Sequence, residues 1–316
     1  MTRIKVIRTD EVTSSELINY TEAFNLAFNL SISPKEFRSK YKSFLGFSFH
    51  SFLISEEEIV GSVTVIPMEY KLHNKTIFGG LIVDVFILPE HRSDPFHLLK
   101  MYRSLKTYLT QENITFSIAV PNKNVSTYWT KIMRFNTLGE LDYNIFIVDI
   151  FLGRIGRLGV VLTGLLLVPF HLCKNVLMKG TRRNLKVMQL VRSSDFYEHR
   201  LKDTHKRILI GSHEFHYVVG KERNVNVAFL LDFSSRSGDD ANALRTAVKY
   251  LKHEERISLI LFIGQLNLNQ YLFWRLPKFL EPQKLPVIIE NLDNNDELLN
   301  MPLDLWDFTL LNYDVR

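Results

Sequence analysis

GLIVDVFILPEHRSDPFHLLKMYRSLKTYLTQENITFSIAVPNKNVSTYWTKIMRFNTLG, residues Gly80 to Gly139, decides the fold. It reads as strand, sharp turn, helix, strand and a short polar helix start, with little loop between them. Leu81–Arg92 is an apolar, β-branched run ended by Pro89, suited to a buried strand. Pro95 then opens a helical pattern, since proline is tolerated in a first turn whose N–H groups lack partners. Phe96, Leu99, Leu105 and Leu109 keep rough helical spacing, with Lys100, Arg103 and Lys106 outside. Ile114–Asn122 is a second apolar strand stopped by Pro-Asn. A strand that feeds a helix N-terminus presents free N–H groups and a positive dipole end, the usual seat of a phosphate.

At EEIVGSVTVIP (Glu57–Pro67), DVFILPEHR (Asp84–Arg92), PNKNVSTYWTKIMRF (Pro121–Phe135) and WDFTLLNYDV (Trp306–Val315) the chain resembles the GNAT (Gcn5-related) acyltransferases. More closely, it resembles bacterial tandem-domain members associated with surface-polysaccharide biosynthesis. The resemblance implies acyl transfer from acetyl-CoA by direct attack of an amine on the thioester. It further implies that the backbone of the fourth strand, here Val85, Phe86 and Ile87, pairs with the pantetheine arm. The following loop would hold the pyrophosphate through Arg92, Ser93, Asp94, Phe96 and His97, with Asn122 nearby.

The chain departs from the family pattern Arg/Gln-x-x-Gly-x-Gly/Ala, which here reads R-S-D-P-F-H (Arg92–His97). Pro95 replaces the first glycine and removes a donor, Asp94 adds negative charge, and Phe96 and His97 add bulk. Arg134 replaces the glycine of a later motif.

Catalytic candidates are few. Asp84 lies mid-strand among Ile82, Val83, Val85 and Phe86, where an isolated carboxylate is costly to bury. It reads either as a base that takes the amine proton or as a residue at a splayed strand edge, bonded to backbone. Tyr128 is a candidate acid for the departing thiolate, although Thr130 holds the family's tyrosine position, and packing is the other reading. Asn122 suits a helix cap better than a substrate contact, and His91 reads as a surface residue. His213 and His216 stand three apart in a strand pattern, so they point to opposite faces, and no metal site is expected.

Composition frames these readings. With 316 residues, 46% of them hydrophobic, the chain suits about two domains. A single cysteine, Cys173, excludes an internal disulfide framework, and the N-terminus lacks a signal-peptide apolar stretch, so a cytoplasmic protein is expected. The net charge is +5, but residues 151–194 alone carry eight basic and no acidic residues. No protein-wide nucleic-acid surface is implied.

That basic segment encloses sixteen uncharged residues, Leu158–Cys173. At about 1.5 Å per residue they fall short of a bilayer core of roughly 30 Å. The segment reads as a buried linker helix or as a helix lying in a membrane interface, its basic flanks (within 154–186) on anionic headgroups.

The expected organisation is α/β (α+β): a GNAT-like acyl-CoA domain over 1–150, a basic apolar helical linker over 151–190, and a degenerate GNAT-like domain over 191–316. Both would carry mixed, mostly antiparallel sheets flanked by helices. Within the first, Ile4–Arg8 begins the sheet, Ser14–Asn29 and Ser33–Phe44 are helices, and Leu141–Phe151 closes the sheet. In the second, SSRSGDD (Ser234–Asp240) replaces the phosphate turn with acidic residues that repel a pyrophosphate. Its last strands are expected from LPVIIENL and WDFTLLNYDV. The acceptor implied by the resemblance is a small-molecule amine, on a sugar or a related metabolite.

Overall fold

The computed structural model describes residues 2–151, 158–167, 187–222, 224–265, 273–293 and 296–313. The strands are β1 (Thr2–Arg8), β2 (Phe49–Ser55), β3 (Glu58–Leu72), β4 (Lys75–Ile87), β5 (Ile114–Ala119), β6 (Asn136–Glu140) and β7 (Asp142–Ile147). They continue with β8 (Met188–Leu190), β9 (Lys206–Ile210), β10 (His213–Glu222), β11 (Val225–Ser235), β12 (Leu259–Gly264), β13 (Trp274–Arg275) and β14 (Pro286–Asn291). The helices are α1 (Ser14–Phe28), α2 (Pro34–Lys40), α3 (His97–Gln111) and α4 (Lys123–Thr127). Then come α5 (158–167), α6 (Ser194–Arg200), α7 (Asp240–Glu254) and α8 (Asp296–Asn300). Among the described residues, no helix is long and apolar enough to cross a membrane.

Local chemistry accounts for the boundaries. Thr13 caps α1 and forms a reciprocal capping box with Glu16. Ser33 and Glu36 do the same for α2, with Pro34 in its first turn. The β2–β3 and β3–β4 hairpins turn on Glu56–Glu57 and His73–Asn74, each pair at positive φ, as tight two-residue hairpins require. Pro95 does not open α3; it sits in the preceding turn and the helix begins at His97.

The chain forms two compact units from interleaved stretches. The first comprises Met1–Glu140, Val187–Arg200 and Leu285–Leu303; the second comprises Leu141–Lys186, Leu201–Lys284 and Asp304–Arg316. This differs from a division at 150 and 190. LDYNIFI, expected to close the first sheet, is β7 of the second unit, whereas PVIIEN is β14 of the first. WDFTLLNYDV yields no strand among its described residues, only a bridge at Trp306 and a 3-10 turn at Leu310–Asn312.

In the first unit the sheet runs β1-β2-β3-β4-β5-β14-β6, with β8 added against β3. Neighbours are antiparallel except β4 and β5, which run parallel around α3. Met101, Tyr102, Leu105 and Leu109 of α3 pack on Val63, Val65, Ile82, Ile114 and Trp129. Glycine is required where β4 meets β5: a Cβ on Gly79 would lie 2.3 Å from Phe116 Cζ. In the second unit the sheet runs β13-β7-β12-β11-β10-β9, again with one parallel pair, β11 and β12, and α7 covers it.

Candidate active site

The parallel pairing of β4 and β5 ends at Leu81 opposite Ile118. Beyond it β4 follows β3 and β5 follows β14, so the two strands part. The part of β4 beyond this split is Ile82–Ile87, facing the exit of β5 towards Pro121–Asn122. Within it the β3–β4 register slips: Ser62 pairs with Phe86 but Thr64 with Val83, leaving Asp84 and Val85 in a bulge. Asp84 adopts φ 50°, a left-handed conformation costing a non-glycine residue about 1–2 kcal/mol.

The bulge aims the Asp84 carboxylate at α1 and α2. Tyr41 Oη donates to Asp84 Oδ2 at 2.7 Å, and Lys40 Nζ forms an ion pair with the same oxygen at 2.8 Å. Tyr41 Oη meets Tyr20 Oη at 2.8 Å, and both tyrosines are fully buried. Burial pushes both phenols above their ordinary pKa, with the Asp84 charge adding to it, so they stay protonated donors. The hydroxyls of Ser62 and Thr64 also act on Tyr20. Thr64 Oγ1 in turn bonds His50 Nδ1 at 3.0 Å, and His50 Nε2 reaches Thr9 Oγ1 at 2.8 Å. Asp84 is therefore not an isolated carboxylate: it ends a buried polar chain and is neutralised by Lys40.

The turn after β4 is held by its own side chains. Arg92 Nε donates to the Ile87 carbonyl at 2.7 Å. Asp94 Oδ1 accepts the Phe96 N–H at 2.8 Å, and its other oxygen pairs with Lys100 Nζ at 3.0 Å. These bonds, the backbone one first, hold the Asp94 carboxyl below its usual range. His97 turns inward and is buried; its Nδ1 meets the His91 carbonyl at 3.1 Å and its Nε2 meets Thr2 Oγ1 at 3.3 Å. Ser93 and Phe96 are exposed. Tyr128 begins a π-helical turn, and its hydroxyl donates to the Pro95 carbonyl at 2.6 Å. Partial burial raises its pKa. Asn122 caps the next helix, its Oδ1 accepting Val125 N–H at 3.2 Å.

The expected residues thus fall into two groups along β4 and its turn. Asp84 and Phe86 face α1, where Phe86 packs on Tyr20, Phe24 and Phe28. Val85 and Ile87 pack towards the α3 core. Arg92, Asp94 and Tyr128 meet around the α3 N-terminus. Sequence reasoning missed Tyr20, Lys40, Tyr41 and His50, which lie far from Asp84 along the chain. An available signal was the aromatic density of α1 and α2: Tyr20, Phe37 and Tyr41 surround His50, and Phe24 packs on Tyr20.

The second unit repeats the split. β11 and β12 pair in parallel only from Val227 to Phe229, and the third residue beyond is again an aspartate, Asp232. It is fully buried opposite His216, whose Nε2 meets Glu214 Oε1 at 3.0 Å. The turn into α7 is capped by the Asp239 side chain, which accepts the Asn242 N–H.

A strand that parts from its parallel neighbour and then turns into a helix is the decisive feature. The fold is that of the GNAT acyltransferases. Residues 8–131 match the family model described as "Acetyltransferase (GNAT) domain". Among solved structures, a GCN5-related N-acetyltransferase from Anabaena variabilis matches with TM-score 0.60 and 12% identity, over 92% of this chain and 73% of that one. A conserved protein of unknown function from Enterococcus faecalis, described as a probable N-acyltransferase, matches with TM-score 0.60 and 10% identity, over 94% and 74%. Eis1 from Mycobacterium abscessus matches with TM-score 0.57 and 8% identity, over 94% and 75%. No curated protein matches the chain. The GNAT match supports acyl transfer in general; identities this low carry the fold alone.

Proposed function

We propose that the chain is a cytoplasmic acyl-CoA-dependent N-acyltransferase that acetylates an amino group on a sugar or related small metabolite of surface-polysaccharide assembly. The observation that carries the reaction class is the β4–β5 split at Leu81, with Asp84 on one side and the turn into α3 at its end. The acceptor class rests on the sequence resemblance.

The split fits an extended thioester arm, because Val85, Phe86 and Ile87 lie beyond the end of the β4–β5 ladder. The turn fits a pyrophosphate less well: Pro95 has no N–H and the Phe96 N–H is already taken by Asp94. Arg92, Ser93 and the first turn of α3 are the groups left to hold it. Bound there, acetyl-CoA supplies the activated acyl group. Asp84 accepts the proton of the attacking amine, directly or through water, while Lys40 and Tyr41 hold the carboxylate in place. Tyr128 supplies the proton for the leaving sulfur, which requires its hydroxyl to release the Pro95 carbonyl.

A second reading is a GNAT fold that binds a partner without catalysis, favoured by the Asp94 carboxylate inside the phosphate turn. Calorimetric titration with acetyl-CoA separates the two. Saturable binding that is lost on closing the split, as with Val85→Trp, supports the enzyme; no heat at millimolar acetyl-CoA overturns it.

A further inference from the structure

The first unit's sheet has a gap along one edge of β3. β2 follows β3 as far as Phe49 opposite Val65, and β8 takes up the same edge from Leu190 opposite Tyr70. Between them, among the described residues, no strand lies against Ile66–Glu69, and Pro67 brings no N–H to that edge. The gap is an open cleft of about 330 Å³, within the roughly 300–1,000 Å³ usual for small-ligand sites. Its walls are tied down by their own bonds. On one side the chain entering β2 turns at Gly46, whose N–H donates to the Ser43 carbonyl at 2.9 Å, and Ser48 Oγ donates to the Tyr41 carbonyl at 2.6 Å. On the other, α6 is anchored by the buried Phe196 and Tyr197, and Ser193 Oγ accepts the Phe196 N–H at 3.1 Å.

The lining has two characters. Ile66, Met68 and Phe196 are buried and give an apolar floor, beside Phe44, whose ring stacks on Phe78. Lys42, His199 and Arg200 line the same cleft, with Glu69 as their acidic neighbour. Among the described residues, neither the Lys42 nor the His199 side chain has a hydrogen-bond or ion-pair partner. Lys42 and Arg200 against Glu69 leave a charge of +1, and a proton on His199 makes it +2. A phosphate monoester carries about −1.5 to −2 near neutral pH and matches that excess, whereas a single carboxylate does not. We propose that this gap binds a small organic phosphate monoester, its apolar body on Phe44, Met68 and Phe196 and its phosphate against Lys42, His199 and Arg200. No residue of the turn into α3 lines the cleft, nor does Asp84, so this site is additional to the one assigned to acetyl-CoA.

The test is calorimetric titration of the full chain with phenyl phosphate, inorganic phosphate and phenol, at about pH 7 and without acetyl-CoA. Expected are one saturable phenyl phosphate site with Kd below about 1 mM, inorganic phosphate weaker by roughly tenfold or more, and no heat from phenol. Lys42→Gln with His199→Gln should weaken phenyl phosphate binding by roughly tenfold or more, with the melting temperature unchanged because neither side chain has a partner to lose. Glu69→Gln should tighten it several-fold by removing a like charge; should the double variant melt early, this substitution alone decides. Three results overturn the inference. They are no saturable binding up to about 10 mM phenyl phosphate, unchanged affinity in either variant, and inorganic phosphate bound as tightly as phenyl phosphate. The second would put the phosphate at the turn into α3 or elsewhere, and the third would deny the apolar half of the site. None of these outcomes depends on whether acetyl-CoA binds.

Discussion

Tyr41→Phe isolates the element on which the proposed site depends. The substitution removes a single oxygen, which donates to Asp84 at 2.7 Å and bonds Tyr20 at 2.8 Å. A hydrogen bond to a charged group contributes about 1.5–3 kcal/mol, and a buried hydroxyl deprived of its partner costs about 1–3 kcal/mol. Tyr20 keeps Ser62 and Thr64 beside it, and Asp84 keeps Lys40, so both losses fall at the lower end. Their sum is roughly 2.5 kcal/mol, or about 5–10 °C for a unit of this size. The informative measurement is a double-mutant cycle with Asp84→Asn, followed by urea and thermal unfolding. If Tyr41 acts through the carboxylate, its cost should shrink by more than 1 kcal/mol in the Asp84→Asn background. Costs that add to within about 0.5 kcal/mol would show that the buried chain is ordinary packing, and the assignment of Tyr41 as the group that holds Asp84 would fail.

Burial pushes His50 down to about 3, against about 6.5 when unfolded, so the folded protein keeps it neutral. Its contribution is complete above about pH 6.5 and is lost as pH falls towards 3, at up to about 1.4 kcal/mol per pH unit; melting curves of His50→Gln should be flatter over that range, and parallel curves would refute the assignment. Asp84→Asn should lower the acetylation rate at least tenfold with acetyl-CoA affinity unchanged, and full activity would remove Asp84 from the chemistry. Asp94→Ala frees the Phe96 N–H and the Lys100 ammonium, and should tighten CoA binding by roughly tenfold in calorimetry (about 1.4 kcal/mol); unchanged affinity would place the pyrophosphate elsewhere. Arg134 occupies the family's glycine position with φ 63°, so Arg134→Gly should stabilise the protein by about 1 kcal/mol, and a lower melting temperature would show that its side chain is needed.

The stretch Gly80–Gly139 was legible because strand and helix periodicities follow one another there with clear stops. Its parallel β4–β5 pair, α3 and the helix capped by Asn122 all lie close to where the spacing put them. The exchange of β7 and β14 was not legible. Both are short apolar runs buried on two faces, and such runs carry no mark of which sheet they join. The site was half legible. Asp84 stood out as a carboxylate in an apolar strand, but the groups that hold it, Lys40 and Tyr41, come from the end of α2, and sequence spacing says nothing about contacts made over 43 residues. His97 misled for a similar reason. A polar residue in a turn reads as outward, and its inward position follows from Thr2 and the His91 carbonyl.

The place of β14 bears on how the polypeptide is made. Ile288 and Ile289 fill the slot between β5 and β6, yet they are translated about 170 residues after β5. A nascent chain that has released everything up to Glu140 carries two unsatisfied strand edges and an uncovered Ile288 site in its core. The first unit therefore completes its sheet only after the second unit's strands β7 and β9 to β13 have been made. Expression of residues 1–150 alone should give aggregates, whereas supplying the Leu285–Leu303 segment as a fused C-terminal extension is the change that lets this half stand by itself.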